Sequence, residues 1–484
     1  MTEAAPRPDI LFIHPQGVNW FRGVRKDFTR VCNIMAPLGI LSLSAYLEER
    51  GFRTEIFDGY ATPLSDEALA DHVLERDPPW IGFTVTTSSF LQGCRIARAL
   101  RQRGSRARFV FGGVHVSALE SEVLERFEEV DFGVVGEGEE TLAELIESGG
   151  EGDLGKIPGL LFRDGPGRVV FTGPRPDRID LDTLPFPAYG KLPGFPQLYE
   201  LPLFNFPRGP GTTMISARGC PYKCTFCDRS VFGSSFRYNA AEYMFEHVRY
   251  LVRNYRMRHI NFYDDLFTLR KKRVLAFCDM LARGPVRITF NCSAQVSHID
   301  EELVRKLREA GCWMVSLGLE TGDPELLKTH KRGSATVEKG EEALRLVRKA
   351  GLRTKGLFIA GLPGETEESF RRTAEFIRRN PLDDLNMSKF TPFPGSPLYS
   401  ELDKWGTFEE NWEEMNCTNF TFVPHGMTRE KLDALYRDFQ RSHYLRPRVW
   451  WNYVTMLWKS PESWSRFVRN FPAFAQIRYQ VKQA

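Results

Sequence analysis

Two successive runs of short apolar strands alternating with amphipathic helices predict an α/β protein: a Rossmann-like domain, then a partial barrel of six βα units, then a small helical region. The first run spans residues 1–148 and the second 206–410, and the alternation stops over 411–484. Between the runs, residues 149–205 are rich in Gly, Pro, Asp and Arg and read as a linker with some ordered β structure. A chain of 484 residues exceeds what one hydrophobic core usually organises, in keeping with this division.

In the first run the strands are 9–14 (DILFIH), 54–59 (TEIFDG), 80–85 (WIGFTV), 108–113 (RFVFGG) and 131–136 (DFGVVG). Helical periodicity occupies 38–50, 66–76, 91–104, 117–127 and 139–146. Small or polar residues follow the strands: Asp58-Gly59, Thr84 to Ser89, Gly112-Gly113-Val114-His115 and Gly136-Glu137-Gly138-Glu139. Open parallel sheets bind ligands beyond the carboxyl ends of their strands, where such residues admit close approach, so this half reads as a ligand-binding domain.

The linker holds two short strand candidates, GLLFRD and RVVFTG. The second run has strands TMISARG, HINFYDD, RITFNCSA, MVSLGLE, TKGLFIAG and NMSKFTPF, separated by helical stretches. Six units are too few for a closed eight-fold barrel and suit a partial one, with its site at the carboxyl ends of the strands. Residues 427–445 (MTREKLDALYRDFQRSHYL) have helical spacing, and the rest of the C-terminal region is aromatic and basic.

Composition narrows the function. With 42% hydrophobic and 26% charged residues the chain is of ordinary globular type. A net charge of +3 is too small to imply nucleic-acid binding by the whole protein. No apolar run reaches a membrane span, and the start MTEAAPRPDILFIHP lacks the marks of a signal peptide, so a cytoplasmic protein is expected. Nine cysteines without a secretion signal predict reduced thiols or metal ligands.

Three of those thiols fall within eight residues, Cys220-Pro-Tyr-Lys-Cys224-Thr-Phe-Cys227, directly after a strand. Three thiolates can hold three irons of a cubane and leave the fourth open to a chelating substrate. Zinc is the competing reading; it normally takes a fourth protein ligand at suitable spacing, and no paired CxxC or HxxxH lies nearby. The other cysteines, 32, 94, 278, 292, 312 and 417, read as buried structural residues, with Cys292 also placed to face a substrate.

A CxxxCxxC loop after the first strand of a βα barrel, with Phe226 before the last cysteine, resembles the radical S-adenosylmethionine (SAM) superfamily. The resemblance implies that Cys220, Cys224 and Cys227 hold a 4Fe-4S cluster and that Phe226 lies near the adenine of SAM. It implies that Asp264 or Asp265, in YDDLF, accepts from the SAM amino group, and that Glu320, in SLGLETG, accepts from its ribose. Gly361-Leu-Pro-Gly-Glu-Thr366 and Thr391-Pro-Phe-Pro-Gly-Ser-Pro-Leu-Tyr399 resemble turns of the same family and would shape the pocket. No catalytic side chain is named by the sequence.

The first half, with PLGILSLSAYL, FGGVH and VGEGEET, resembles the cobalamin-binding domain that precedes many radical SAM barrels, and LDTLPFPAY resembles their linker. This implies corrinoid contacts from the loop with Thr86, Thr87 and Ser88, from Gly112, Gly113 and His115, and from Gly136, Glu137 and Gly138. Phe12-Ile-His14-Pro-Gln-Gly17 departs from the older Asp-x-His-x-x-Gly motif, with Phe at the Asp position. A metal-ligating His needs a hydrogen-bonded partner, so the expectation is base-off cobalamin without His ligation.

Together these resemblances imply a methyltransferase that acts on an unactivated carbon through methylcobalamin and a 5'-deoxyadenosyl radical, with a reducing partner of flavodoxin or ferredoxin type. A radical cyclase or ring-rearranging enzyme without methyl transfer, as in the anaerobic magnesium-porphyrin cyclase family, is the alternative; a non-catalytic corrinoid or cluster sensor is another. From Arg441 to Ala484, eight Lys or Arg face one acid, Glu462, with Trp450, Trp451, Trp458 and Trp464 interleaved. That mixture fits contact with an anionic membrane face, a grip on a lipid-like or otherwise apolar small-molecule substrate, or aromatic packing on the barrel.

Overall fold

The computed structural model describes residues 6–17 and 33–471 and divides into two compact units. Of the described residues, one unit comprises 6–17, 36–198 and 228–233, and the other 33–35, 199–227 and 234–471. Cys32 and the tail cations Arg478 and Lys482 lie outside the described residues.

The first unit is one seven-stranded sheet: β1 (Ile10–His14), β2 (Thr54–Asp58), β3 (Trp80–Thr84), β4 (Arg108–Gly112), β5 (Phe132–Val134), β6 (Leu160–Arg163) and β7 (Val169–Phe171). Its order is β2-β1-β3-β4-β5-β6-β7, and β1 pairs in parallel with both β2 and β3, Ile10 opposite Thr54 and Trp80. The chain reverses its direction of winding there, which opens a crevice at the carboxyl ends of β1 and β3. Residues 10–13 are at most 2% exposed, as a strand covered on both faces requires. The segment read as a linker supplies β6 and β7, which extend the sheet antiparallel beyond β5.

The helix expected over 66–76 forms as Asp66–Arg76; Ser65 Oγ caps it by accepting from Ala68 N at 3.2 Å, and Asp66 and Glu67 occupy its first turn. The helix expected over 117–127 forms instead as two, Val114–Leu119 and Ser121–Arg126. Glu120 between them has φ 49°, a conformation that cannot continue a helix.

The second unit is built on a six-stranded parallel sheet of β8 (Gly211–Met214), β11 (His259–Phe262), β12 (Thr289–Ala294), β13 (Cys312–Glu320), β14 (Arg353–Ala360) and β15 (Asp384–Lys389). Between β8 and β11 lies a short ribbon, β9 (Ala217–Arg218) with β10 (Arg237–Tyr238). The order β15-β14-β13-β12-β11-β8 advances one place per crossover, as a partial barrel does. Phe262, Phe277 and Phe290 form its edge-to-face core between sheet and helix, with Phe262 5.6 Å from Phe277 and 5.7 Å from Phe290.

Beyond the sheet lie a hairpin, β16 (Gly406–Phe408) with β17 (Phe422–Pro424), and the helices Arg429–Tyr444, Pro447–Lys459 and Pro461–Arg469. The last helices pack at the amino ends of the barrel strands. Arg466 donates to Leu201 O at 2.8 Å and pairs with Glu200 at 3.1 Å, Ser460 Oγ donates to Phe206 O, and the Phe206 ring lies beside His259 at the start of β11. Among the four tail tryptophans, Trp464 packs on Phe204, whereas Trp450, Trp451 and Trp458 are exposed. The last two helices therefore lie toward the amino ends of the barrel strands.

Candidate functional site

The cysteine loop is anchored from several sides before any cofactor is considered. Thr225 N donates to His330 O at 3.0 Å, and its hydroxyl meets His330 Nδ1 at 2.7 Å. His330 Nε2 lies 2.8 Å from Pro363 O in the Gly361–Thr366 turn, and Leu398 N donates to Thr225 O at 3.1 Å. Tyr222 OH meets His298 Nε2 at 2.8 Å. The two turns expected to shape the pocket thus hold the loop itself. Phe226 is half-buried against the cluster of Leu362, Phe390 and Leu398.

Cys220 and Cys227 are half-buried, Cys224 is buried, and all three are free thiols. Burial pushes the Cys224 thiol up, and the nearby Lys331 ammonium opposes that rise. Thiols beside a cation suit ligation as thiolates, so the donor set fits an iron–sulfur cluster. A cubane spreads its ligands over separate irons, whereas zinc needs them to converge. Among the described residues no three His, Cys, Asp or Glu side chains meet at one ion position.

The adjacent acids after β11 separate sharply. Asp264 is fully buried: Ser216 N and Oγ donate to its two oxygens at 2.5 and 2.6 Å, and Arg273 lies 3.6 Å away. Burial raises its pKa against the pull of Arg273 and Ser216. Of the two candidate acids, Asp264 is thus engaged inside the protein, tying β11 to the end of β8. Asp265 is exposed and accepts from Gly219 N at 2.9 Å through one carboxylate oxygen, beside the cysteine loop. The same tie explains why the strand expected over 213–219 splits into β8 and β9: Ser216 N serves Asp264 rather than a ladder.

Glu320 sits at the end of β13 with φ 61°, where the pairing with β14 slips between Gly318 and Glu320. A bulge with a left-handed residue re-aims a side chain, and strain of this kind collects at functional sites. Its carboxylate is no solvated strand-end acid; Lys331 Nζ donates to it at 3.1 Å, and both side chains are nearly buried. Burial pulls the Lys331 pKa down, but Glu320 and then Cys224 outweigh it and the pKa ends above the usual value. Lys331 and His330, adjacent at the end of helix Pro324–Lys331, escaped the sequence reading because each acts on a residue 11 or more positions away. Glu365, in the turn after β14, accepts from Gly361 N, and burial pushes its pKa up to about 8.

In the first unit, Thr86 is exposed at the end of β3, while Thr87, Ser88 and Ser89 are buried beneath it. Ser89 Oγ accepts from Thr86 N at 2.9 Å, which fixes the loop. His115 is wholly buried, 3.3 Å from Thr87 Oγ1 and 4.5 Å from the Phe90 ring, and burial lowers its pKa to about 3. It is a neutral prop under the loop rather than a surface contact. Gly113 (φ 107°) is required by the fold, since a Cβ there would lie 2.6 Å from Val85 O. A Cβ at Gly112 or Gly136 would meet only ordinary contacts, 3.8 Å from Val134 and 3.6 Å from Val231 O, and Gly136 and Glu137 line a cavity of about 160 Å³ with Arg175 and Arg178. His14 Nδ1 lies 3.0 Å from the buried Asp58 carboxylate at the end of β2. The partner that Phe12 cannot provide thus comes from the neighbouring strand. The small strand-end residues, the cavity at Gly136 and Glu137 and the supported imidazole fit a corrinoid.

Cys94, Cys278, Cys292 and Cys312 are at most 3% exposed and Cys417 is half-buried. Cys292 has its thiol raised by hydrogen bonding to Cys312 and by burial, so it offers no thiolate to a substrate.

Comparison with known proteins agrees with both halves. The Radical SAM superfamily model matches residues 214–377, and the B12 binding domain model matches residues 25–146. An uncharacterized methyltransferase of Pyrococcus horikoshii is 29% identical over 85% of this chain and 88% of its own length. The anaerobic magnesium-protoporphyrin IX monomethyl ester cyclase of Rubrivivax gelatinosus is 27% identical over 89% of this chain and 77% of that protein. In fold, the chain is similar to the radical SAM methyltransferase TsrM of Kitasatospora setae, solved with cobalamin and a [4Fe-4S] cluster, at a TM-score of 0.64 and 24% identity over 82% of this chain and 77% of that one. This chain belongs to the radical SAM superfamily, as an enzyme with a B12-binding domain ahead of its barrel and with a 4Fe-4S cluster, SAM and cobalamin as its cofactors.

Proposed function

We propose that the protein is a cobalamin-dependent radical SAM methyltransferase acting on an unactivated carbon of an apolar metabolite. The observation that carries this reading is the gathering of the cysteine loop, Asp265 and the Glu320–Lys331 pair at one end of the barrel strands, in a chain that also holds a B12-binding domain. When bound, the reduced cluster supplies the electron that breaks a carbon–sulfur bond of SAM, and the corrinoid supplies a methyl carrier.

The chain's own part is holding and orienting. Cys220, Cys224 and Cys227 hold three irons and leave the fourth to the amino acid end of SAM. Asp265 accepts from its amino group, Glu320 from its ribose with Lys331 fixing the carboxylate, and Phe226 covers the adenine. In the first unit, Thr86, Gly112, Gly136, Glu137 and Gly138 meet the corrinoid, with Thr87, Ser88, Gly113 and His115 supporting them from behind. The apolar substrate is suggested by the aromatic and basic C-terminal region, and a flavodoxin or ferredoxin serves as reductant. The C-terminal helices make a peripheral membrane contact.

The test is anaerobic incubation of cluster- and corrinoid-loaded protein with SAM and a reductant. S-adenosylhomocysteine together with 5'-deoxyadenosine is expected. The cyclase similarity favours a second reading, in which 5'-deoxyadenosine forms without S-adenosylhomocysteine, and that result would replace methyl transfer. Absence of both products would leave a sensor.

A further inference from the structure

The helix Pro447–Lys459 turns its apolar side outward. Trp451, Val454 and Trp458 share one face by their spacing, with Trp450 and Leu457 along its edge. Trp450, Trp451 and Trp458 are 59%, 68% and 71% exposed, whereas Met456 on the opposite side is fully buried. The orientation is fixed: Asn452 Nδ2 donates to Asp383 O, and Arg353 donates to Asn452 Oδ1 at 3.3 Å. This is a built surface of bulky side chains in water, larger than scattered exposed apolar residues produce.

Beside Trp451 opens a cavity of about 210 Å³ whose lining includes Arg348, Arg446, Arg448 and Lys459. Its one acid, Asp383, is engaged by Thr354 N at 3.0 Å. Among the described residues no carboxylate pairs with Arg348, Arg448 or Lys459. From Arg441 to Phe471 six cations stand against one acid, Glu462, which itself accepts from Gly209 N at 2.7 Å; of the six, Arg466 is buried and paired with Glu200, and the others lie outside that pair. Unneutralised cations beside tryptophans match the interfacial zone of a bilayer with anionic lipids: the rings sit at headgroup depth and the cations meet phosphates. No described helix is long and apolar enough to cross a membrane, so the contact is peripheral.

We propose that Pro447–Lys459 docks the protein on an anionic lipid bilayer, its tryptophan face in the headgroup layer and a lipid phosphate in the adjoining cationic cavity. This specifies the peripheral contact of the C-terminal helices and does not rest on methyl transfer, because the helix lies with the amino ends of the barrel strands and the cysteine loop with their carboxyl ends. Docking and catalysis can fail separately.

The experiment is co-sedimentation of the full, cofactor-loaded chain with vesicles of phosphatidylcholine alone or with about one third phosphatidylglycerol. Wild type should bind the anionic vesicles roughly ten-fold more tightly, with the preference lost at high salt. The doubles Trp451→Ser/Trp458→Ser and Arg448→Glu/Lys459→Glu should each lose that binding while keeping iron content, thermal midpoint and SAM cleavage. Variants that bind like wild type, a wild type that ignores both vesicles, or a dimer in solution that the tryptophan double dissolves would overturn the proposal, the last by giving the face to a second copy. Loss of SAM cleavage in wild type with vesicle binding intact would fault the enzymatic reading alone.

Discussion

The two ends of the barrel strands are held by different chemistry. Toward the amino ends a neutral network closes the sheet: Asn291 Nδ2 donates to Asn205 O and Asn261 Oδ1, and His259 Nε2 lies 2.9 Å from the same Asn261 oxygen. Burial lowers the His259 pKa to about 3, so the network carries no charge near neutrality. At the carboxyl ends the buried groups are Asp264 with Arg273, Glu320 with Lys331, and Glu365. Amides hold strands together without pH dependence; paired charges cost desolvation and survive where they orient something. The comparison teaches that the working end is where carboxylates are buried, because the charged residues buried toward the amino ends, Arg353 and Arg466, are cations.

The largest expected effect comes from removing a thiolate. Cys224→Ala should drop iron from about four per chain to near background and abolish SAM cleavage, measured by iron assay and by 5'-deoxyadenosine release. Next, the two neighbouring aspartates should part company. Asp264→Ala strands Arg273 in the interior and should lower stability by about 3–5 kcal/mol in denaturant titration. Asp265→Asn should leave the unfolding midpoint close to wild type while weakening SAM binding roughly ten-fold by calorimetry. Equal stability loss in both variants would erase the distinction.

Glu365 gives a pH signature. Its folded pKa of about 8 lies above its ordinary value of 4.5, because burial favours the protonated form. The folded state therefore holds this proton more tightly than the unfolded chain, and stability falls as pH rises from about 4.5 toward about 8, then levels. Glu365→Gln should flatten that slope and raise stability above pH 8 by on the order of a few kcal/mol, read from denaturation curves across pH. The smallest effect belongs to the amide end: Asn291→Ala should cost about 1–3 kcal/mol with SAM affinity unchanged, and a weaker SAM affinity there would blur the two ends.

Much of this was legible in sequence because it is local. The helix Asp66–Arg76, the parallel strands of both large sheets and the cysteine spacing follow from periodicity, caps and adjacency. The choice between Asp264 and Asp265 was not legible, because strand alternation says that neighbours part without saying which turns inward; Ser216, 48 residues earlier, decides it. His330 and Lys331 carry no local signal, since their partners Thr225 and Glu320 come from other elements. The asymmetry of the tail tryptophans was equally hidden: Trp464 and Trp458 look alike until Phe204 covers one of them.

The central claim, a cluster and a corrinoid in one chain, is tested most directly by elemental analysis of protein made with cobalamin supplied and purified without oxygen. The account predicts about four irons and one cobalt per chain, with Cys224→Ala losing the iron and keeping the cobalt. Zinc in place of iron would contradict the cluster, and four irons without cobalt would contradict the corrinoid.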